Sequence, residues 1–263
     1  MSDFRGRFGN YGDSFDAARS GTIVALLSAG TLIGCLASGY ICDRIGRRYT
    51  ISASAFFYIG GVAIEITSGL AGSSYDWVQF SMGRFTAGLG IGALSTSVPM
   101  YQSESVPASI RGMIVASYQL LITFGILVAY IINYGTSQIG NSSAQWRIPN
   151  GLSALWAIIL GLLILLMPES PRYAYRKGRI EEARSTMASL IKGGEAHGPY
   201  VDEKIREIQE KQEAEEVGGD HNPWIEIFKI PNMRYRVFLG IALQAGQQVS
   251  LYTQDCNTET DKS

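Results

Sequence analysis

Cysteine and histidine are scarce. The three cysteines, Cys35, Cys42 and Cys256, share no metal-ligand spacing, which argues against a disulfide framework or a zinc site. Both histidines, His197 and His221, fall in a polar stretch. The apolar runs therefore hold no His, no paired carboxylates and no Ser/His constellation, and an enzyme, a metal or a cofactor is not expected. Charge of one sign is lacking too. A formal net charge of −1 gives no surplus with which to hold nucleic acid or an acidic partner. A secretory signal is also missing: residues 1–20 are polar, set Arg5, Arg7 and Arg19 against Asp3, Asp13 and Asp16, and have no cleavable apolar core.

What is present is apolar sequence, unevenly spread. The hydrophobic share is 46%, and the mean hydropathy lies just above zero, an average that fits a soluble chain or a membrane chain with a long polar loop. Distribution decides. A helix needs about twenty apolar residues to cross the hydrocarbon, because each adds only about 1.5 Å of rise. Residues 23–41 form such a run without charge, 49–71 a second interrupted only by Glu65, and 78–99 a third carrying Arg84 near its start. Residues 113–134 and 148–167 are a fourth and fifth, both uncharged. Five runs this close together predict an all-α membrane protein in a lipid bilayer.

The connections set the orientation. Arg44, Arg47 and Arg48 follow the first run, and Arg172, Arg176, Lys177 and Arg179 follow the fifth, whereas 72–77 and 135–147 carry almost no positive charge. The positive-inside rule puts the two basic segments in the cytoplasm. Asn141-Ser142-Ser143 is then a glycosylation acceptor sequon on the outer side. This topology leaves the N-terminus outside, and a further helix upstream would reconcile that with its arginines. Gly30, Gly34 and Ser38 recur every fourth residue in the first run, as do Gly88 and Gly92 in the third, which predicts closely packed helices.

After the fifth run the chain turns polar. Ile180, Ala183, Met187 and Leu190 repeat at helical spacing, Val201, Ile205 and Ile208 mark a second amphipathic helix, and Pro223 is placed to open a third before Pro231. Residues 237–248 begin another apolar run that ends too soon to span. The expected organisation is a polar segment at 1–20, a transmembrane bundle at 21–172, a cytoplasmic helical segment at 173–236, and a shortened helix with a tail at 237–263.

Five motifs then fall in order along the chain. Gly39-x-x-x-Asp43-Arg44-Ile45-Gly46-Arg47-Arg48 closes the first run, and Gly83-Arg84 opens the third. Pro99-x-Tyr101-x-x-Glu104-x-x-Pro107-x-x-x-Arg111-Gly112 joins the third and fourth. Pro168-Glu169-Ser170-Pro171-Arg172 follows the fifth, and Gln244-x-x-Gln247-Gln248 sits in the shortened last run. In these motifs the chain resembles the sugar porters of the major facilitator superfamily, with the general look of a fungal hexose transporter. The resemblance implies that the five runs are family helices two to six, and that the chain is the larger part of a first half, truncated at both ends. After the paired glutamines the family continues with Ser or Thr, Gly and Asn, and here Thr253 holds the Asn position.

A sugar presents hydroxyls that donate and accept, and a glutamine amide does both. An amide is costly in hydrocarbon unless partnered, so Gln119 invites attention, with Thr123 one turn later on its face. On its own that pattern fits an interhelical hydrogen bond as well as a ligand. The resemblance implies that Gln119, Gln244, Gln247 and Gln248 contact a monosaccharide. It also implies a cytoplasmic gate of ion pairs among Asp43, Arg47, Arg48, Glu104, Arg111, Glu169 and Arg172. Arg84 would face an aspartate on family helix one that couples protons to sugar in proton-driven members, while Glu65, near the outer end of its run, is taken as interfacial. The implied function is hexose transport by alternating access, facilitated or proton-coupled, in the plasma membrane. A regulatory or interfering chain, or a sugar sensor, is the alternative.

Overall fold

The computed structural model describes residues 17–69, 75–139, 142–190, 198–217 and 234–246. Among these residues there are helices and no strand. Five long helices come first: α1 (Ala17–Ile45), α2 (Arg47–Thr67), α3 (Asp76–Ser105), α4 (Ala108–Ser137) and α5 (Ala144–Leu163), the last extended by a 3-10 turn at Ile164–Leu166. Three shorter ones follow: α6 (Pro171–Arg176), α7 (Ile180–Leu190) and α8 (Pro199–Val217). Residues 234–246 form α9. The chain divides into two compact units, up to Arg206 and from Glu207.

Within the first unit α3 is the central helix, packed along α1 on one side and α2 on the other, with α5 against the far side of α2. Among the described residues four helical segments are long and apolar enough to cross a membrane: Ala18–Ile45, Arg47–Thr67, Ile110–Ser137 and Ala144–Leu166. The sequence reading expects five. The missing one is 78–99 within α3, and its position gives the reason. A helix enclosed by neighbours needs small residues for close approach more than large apolar ones for lipid, and this stretch is dilute in large side chains, with Gly83, Gly88, Gly90 and Gly92 among Ser and Thr.

Those glycines are where backbones meet. A methyl group on Gly88 would lie 2.5 Å from the Leu27 carbonyl oxygen of α1, and one on Gly90 2.7 Å from the Ser54 carbonyl oxygen of α2. From the α1 side, Gly30 abuts the Phe85 carbonyl and Gly34 the Leu89 carbonyl, while Gly92 of α3 abuts that of Thr31. One turn further on, the hydroxyls of Ser38 and Thr96 share a short hydrogen bond. The two small-residue stripes expected from the sequence thus face each other. At the opposite end of the bundle Ile23, Phe80 and Trp146 close a small core, with the Phe80 and Trp146 rings edge to face at 6.1 Å.

The outside of this unit is apolar. Leu120, Leu121, Phe124, Leu127, Tyr130 and Ile131 stand exposed along α4, and Leu155, Trp156, Leu162 and Leu163 along α5. Water does not tolerate a continuous apolar surface of this extent on a folded chain, whereas lipid does. The chain is an integral membrane protein. After the bundle, α6, α7 and the start of α8 share a small core of Ala174, Ala183, Val201 and Ile205, with Met187 packed against it. The helix anticipated at Pro223 lies outside the described residues.

Candidate functional site

The charged motifs converge at the end of the bundle where α1 stops and α2 starts. The chain reverses at Gly46, whose φ of 106° favours glycine. A methyl group there would also lie 2.6 Å from a Glu169 carboxylate oxygen and 3.0 Å from the Tyr173 ring. This turn delivers Arg47 into the interior, where the residue is only 1% exposed. Its Nε lies 3.0 Å from Glu104 Oε2 of α3, and one terminal nitrogen lies 3.2 Å from both Glu104 Oε1 and Asp43 Oδ1 of α1. The other terminal nitrogen donates to the Cys42 carbonyl at 3.2 Å, and the Tyr173 ring covers the guanidinium at 5.3 Å. A buried charge is tolerable only when paired and hydrogen-bonded, and Arg47 has two carboxylates, a carbonyl and a ring face.

Glu169, just before α6, serves the backbone instead. Its Oε1 accepts from the backbone N–H groups of Arg47 at 3.0 Å, Arg48 at 3.2 Å and Ser170 at 3.0 Å. The first two are unsatisfied donors of the first turn of α2, where a carboxylate also meets the positive end of the helix dipole. Ser170 donates its hydroxyl to Glu104 Oε2 at 2.6 Å, Tyr173 to the Arg44 carbonyl at 3.0 Å, and Tyr101 to the Pro168 carbonyl at 2.8 Å. Burial, and after it the neighbouring Glu169 carboxylate, push the Tyr173 phenol above its ordinary value, so it stays a neutral donor. On the open rim Arg176 of α6 reaches Asp43 at 3.2 Å.

The other expected members of the cluster are placed differently. Arg48 contributes its backbone N–H, and its guanidinium lies over Tyr49 at 5.3 Å. Arg172 is half-buried in the first turn of α6. Arg111 is exposed and donates to the Val106 carbonyl at 3.3 Å.

A second charge pair lies near the other end of the bundle. Arg84 Nε of α3 is 3.6 Å from Glu65 Oε1 of α2, with the Glu65 side chain 3% exposed and that of Arg84 32%. Its guanidinium also stacks over Phe80 at 5.1 Å. Glu65 thus faces into the bundle. It turns inward because it shares a face of α2 with Gly61 and Val62, which are buried against the bundle.

Gln119 and Thr123 both stand exposed on α4, one turn apart, and the Thr123 hydroxyl donates to the Gln119 carbonyl at 3.1 Å. Neither is among the residues lining the groove of about 470 Å³ between α4 and α5, which is apolar and whose lining includes Phe124, Val128, Ile132, Leu152 and Trp156. Gln244 is exposed on α9. Gln247, Gln248 and Asn141 lie outside the described residues.

Against this geometry the comparisons are specific. A family model described as sugar (and other) transporter matches residues 2–253. The chain belongs to the sugar transporter family. It is 40% identical over 257 residues to the high-affinity fructose transporter ght6 of Schizosaccharomyces pombe, covering 95% of this chain and 46% of that protein. The high-affinity glucose transporter ght2 of the same yeast is 38% identical, with the same two shares. Among solved structures, that of the proton:xylose symporter XylE of E. coli, bound to 6-bromo-6-deoxy-D-glucose, superposes with a TM-score of 0.73 at 25% identity. That match covers 82% of this chain and 49% of the symporter. The chain spans about half the length of the curated relatives it matches. Its fold is therefore a partial major facilitator bundle, from a family of transporters and not of enzymes.

Several residues that build the charged cluster do not stand out in the sequence. Ser170 lies within the Pro-Glu-Ser-Pro-Arg motif and Tyr173 and Arg176 just after it; Ser170 bonds the buried Glu104, Tyr173 covers the buried Arg47, and Arg176 pairs with the exposed Asp43. The only sequence signal was their closeness to that motif.

Proposed function

We propose that this chain supplies the first half of a hexose carrier working by alternating access. Hexose is the substrate because the relatives named above carry fructose and glucose. Gln119 and Thr123 are its proposed sugar contacts, and Gln244, Gln247 and Gln248 are proposed as further ones. The observation that carries this reading is the placement of Gln119 and Thr123. In a family whose members enclose substrate between two repeats, an amide and a hydroxyl stand together on a face of α4 that no other described helix covers. Arg47, Glu104 and Glu169 form the fixed inner part of a latch at the cytoplasmic end with Asp43 at its rim, and Arg48, Arg111 and Arg172 supply charges for an opposing half to engage. Protons are the proposed co-substrate, with Arg84 in the coupling site, and the plasma membrane is the proposed location.

The test is uptake of labelled glucose and fructose by yeast cells stripped of their own hexose carriers. Expression of this chain alone should give no saturable uptake, because half a carrier cannot enclose its substrate. Co-expression with the second half of a hexose carrier should restore uptake, and Gln119→Ala should lower it about tenfold or more, the cost of roughly 1.4 kcal/mol of lost contact. Restored uptake indifferent to Gln119→Ala would refute the assignment.

A further inference from the structure

The Glu65–Arg84 pair is unlike the charges at the other end. Those are netted into hydrogen bonds, cap a helix or lie open to water. Among the described residues Glu65 faces one charged partner, at 3.6 Å, beyond hydrogen-bonding distance. A buried ion pair held this loosely gains little stability over an apolar pair of the same size, and an ionisable residue inside a membrane span marks a proton or ion pathway by default.

The site is also built. A methyl group on Gly83 would lie 2.7 Å from Glu65 Cγ, so the glycine before Arg84 leaves the space the glutamate occupies. Gly61, one turn earlier than Glu65, meets the backbone of Ala87 and brings α2 against α3. The other charged groups at this end are engaged elsewhere: Arg147 of α5 donates to the Ser68 carbonyl at 3.4 Å, and Arg19 of α1 lies over Trp77 at 5.1 Å. Asp76 is buried at the start of α3. The nearest titratable neighbour on α2 itself, Tyr58, donates to Ser153 of α5 at 2.8 Å.

We infer that Glu65 is a proton-binding site of this carrier, giving up its ion pair with Arg84 when it takes a proton. The proton comes from water and adds to a carboxylate oxygen, leaving a neutral acid beside an arginine that keeps its charge and is free to turn. Loss of the proton restores the pair and draws α2 and α3 together. This deepens the proposed function, and rests on it for the link to sugar movement but not for the titration itself.

The experiment is infrared difference spectroscopy of the purified chain in lipid nanodiscs, titrated with acid and without sugar. A protonated-carboxyl band should appear as pH falls, be absent in Glu65→Gln and shift in frequency in Glu65→Asp. Arg84→Gln should move its midpoint to higher pH by at least one unit, a tenfold gain in proton affinity, because the charge that favours the carboxylate is gone. A spectrum unchanged by both Glu65 variants, or a midpoint unmoved in Arg84→Gln, would overturn the inference. If Glu65→Gln fails to fold, Glu65→Asp carries the assignment through its band position. Failure of the co-expression uptake assay would remove the transport reading while leaving this titration standing.

Discussion

Glu104 and Asp43 both contact the same Arg47 nitrogen at 3.2 Å, yet removing them should differ greatly. The Glu104 side chain is 9% exposed and faces an arginine side chain at 2%, while Asp43 is 47% exposed. Glu104→Ala takes away the carboxylate that meets Arg47 Nε and one terminal nitrogen, and it removes the acceptor of the Ser170 hydroxyl. Water cannot reach in to replace it. Breaking a buried pair from one side costs about 3–5 kcal/mol, because the surviving charge is left uncompensated. Asp43→Ala removes a carboxylate that solvent already screens, and exposed pairs contribute about 0–1 kcal/mol. The assay is equilibrium unfolding of the purified chain in mixed micelles of dodecyl maltoside and sodium dodecyl sulfate, followed by tryptophan fluorescence. The double change Arg47→Met with Glu104→Leu should recover most of the loss, since an apolar pair of similar volume needs no compensation. Equal losses for Glu104→Ala and Asp43→Ala, or a double variant no better than the single, would refute the reasoning.

Two further outcomes are expected. Gly34→Leu and Gly92→Val should each loosen α1 from α3, at about 1–3 kcal/mol or more for overpacking, whereas Gly125→Ala, with nothing within 4 Å of the added methyl, should be near neutral; thermal unfolding of the three variants compares them directly. Glu169→Ala should cost about 2 kcal/mol or more, because three backbone N–H groups lose their acceptor, two of them at the first turn of α2. Glu169→Gln keeps a carbonyl oxygen there and should lose less than half of that, read from hydrogen exchange at Arg47 and Arg48.

Local pattern made much of this fold legible. Helix length against bilayer thickness gives α1, α2, α4 and α5, and small residues at every fourth position mark α1 and α3 as closely packed, because both signals are repeated along the helix. Motif order likewise led to the Arg47 cluster, since each motif sits where one element ends and the next begins. Neighbour identity was not legible. A hydropathy run containing one glutamate reads the same whether that residue faces lipid headgroups or a second helix, and the difference rests on Gly83, a residue eighteen positions away whose missing side chain makes the room. Arg111 shows the converse: a motif position need not join the cluster its motif belongs to, and here it turns to the Val106 carbonyl.

The same distinction separates the two charged sites by what they can do. At the Arg47 end each buried charge is held by several groups from α1, α2, α3 and the segment entering α6, so no single proton or rotation releases it. That suits a part that moves as a rigid body, with the exposed Asp43–Arg176 pair at its rim. At the Glu65 end one carboxylate meets one guanidinium, and a single proton abolishes the attraction. Alternating access needs both kinds of contact: bodies that hold their shape, and a small free-energy difference that a bound species can reverse. By that logic the effect of Arg84→Gln should depend on pH, fading as acid protonates Glu65. A stability loss in Arg84→Gln that stayed constant from pH 4 to pH 8 would break the distinction.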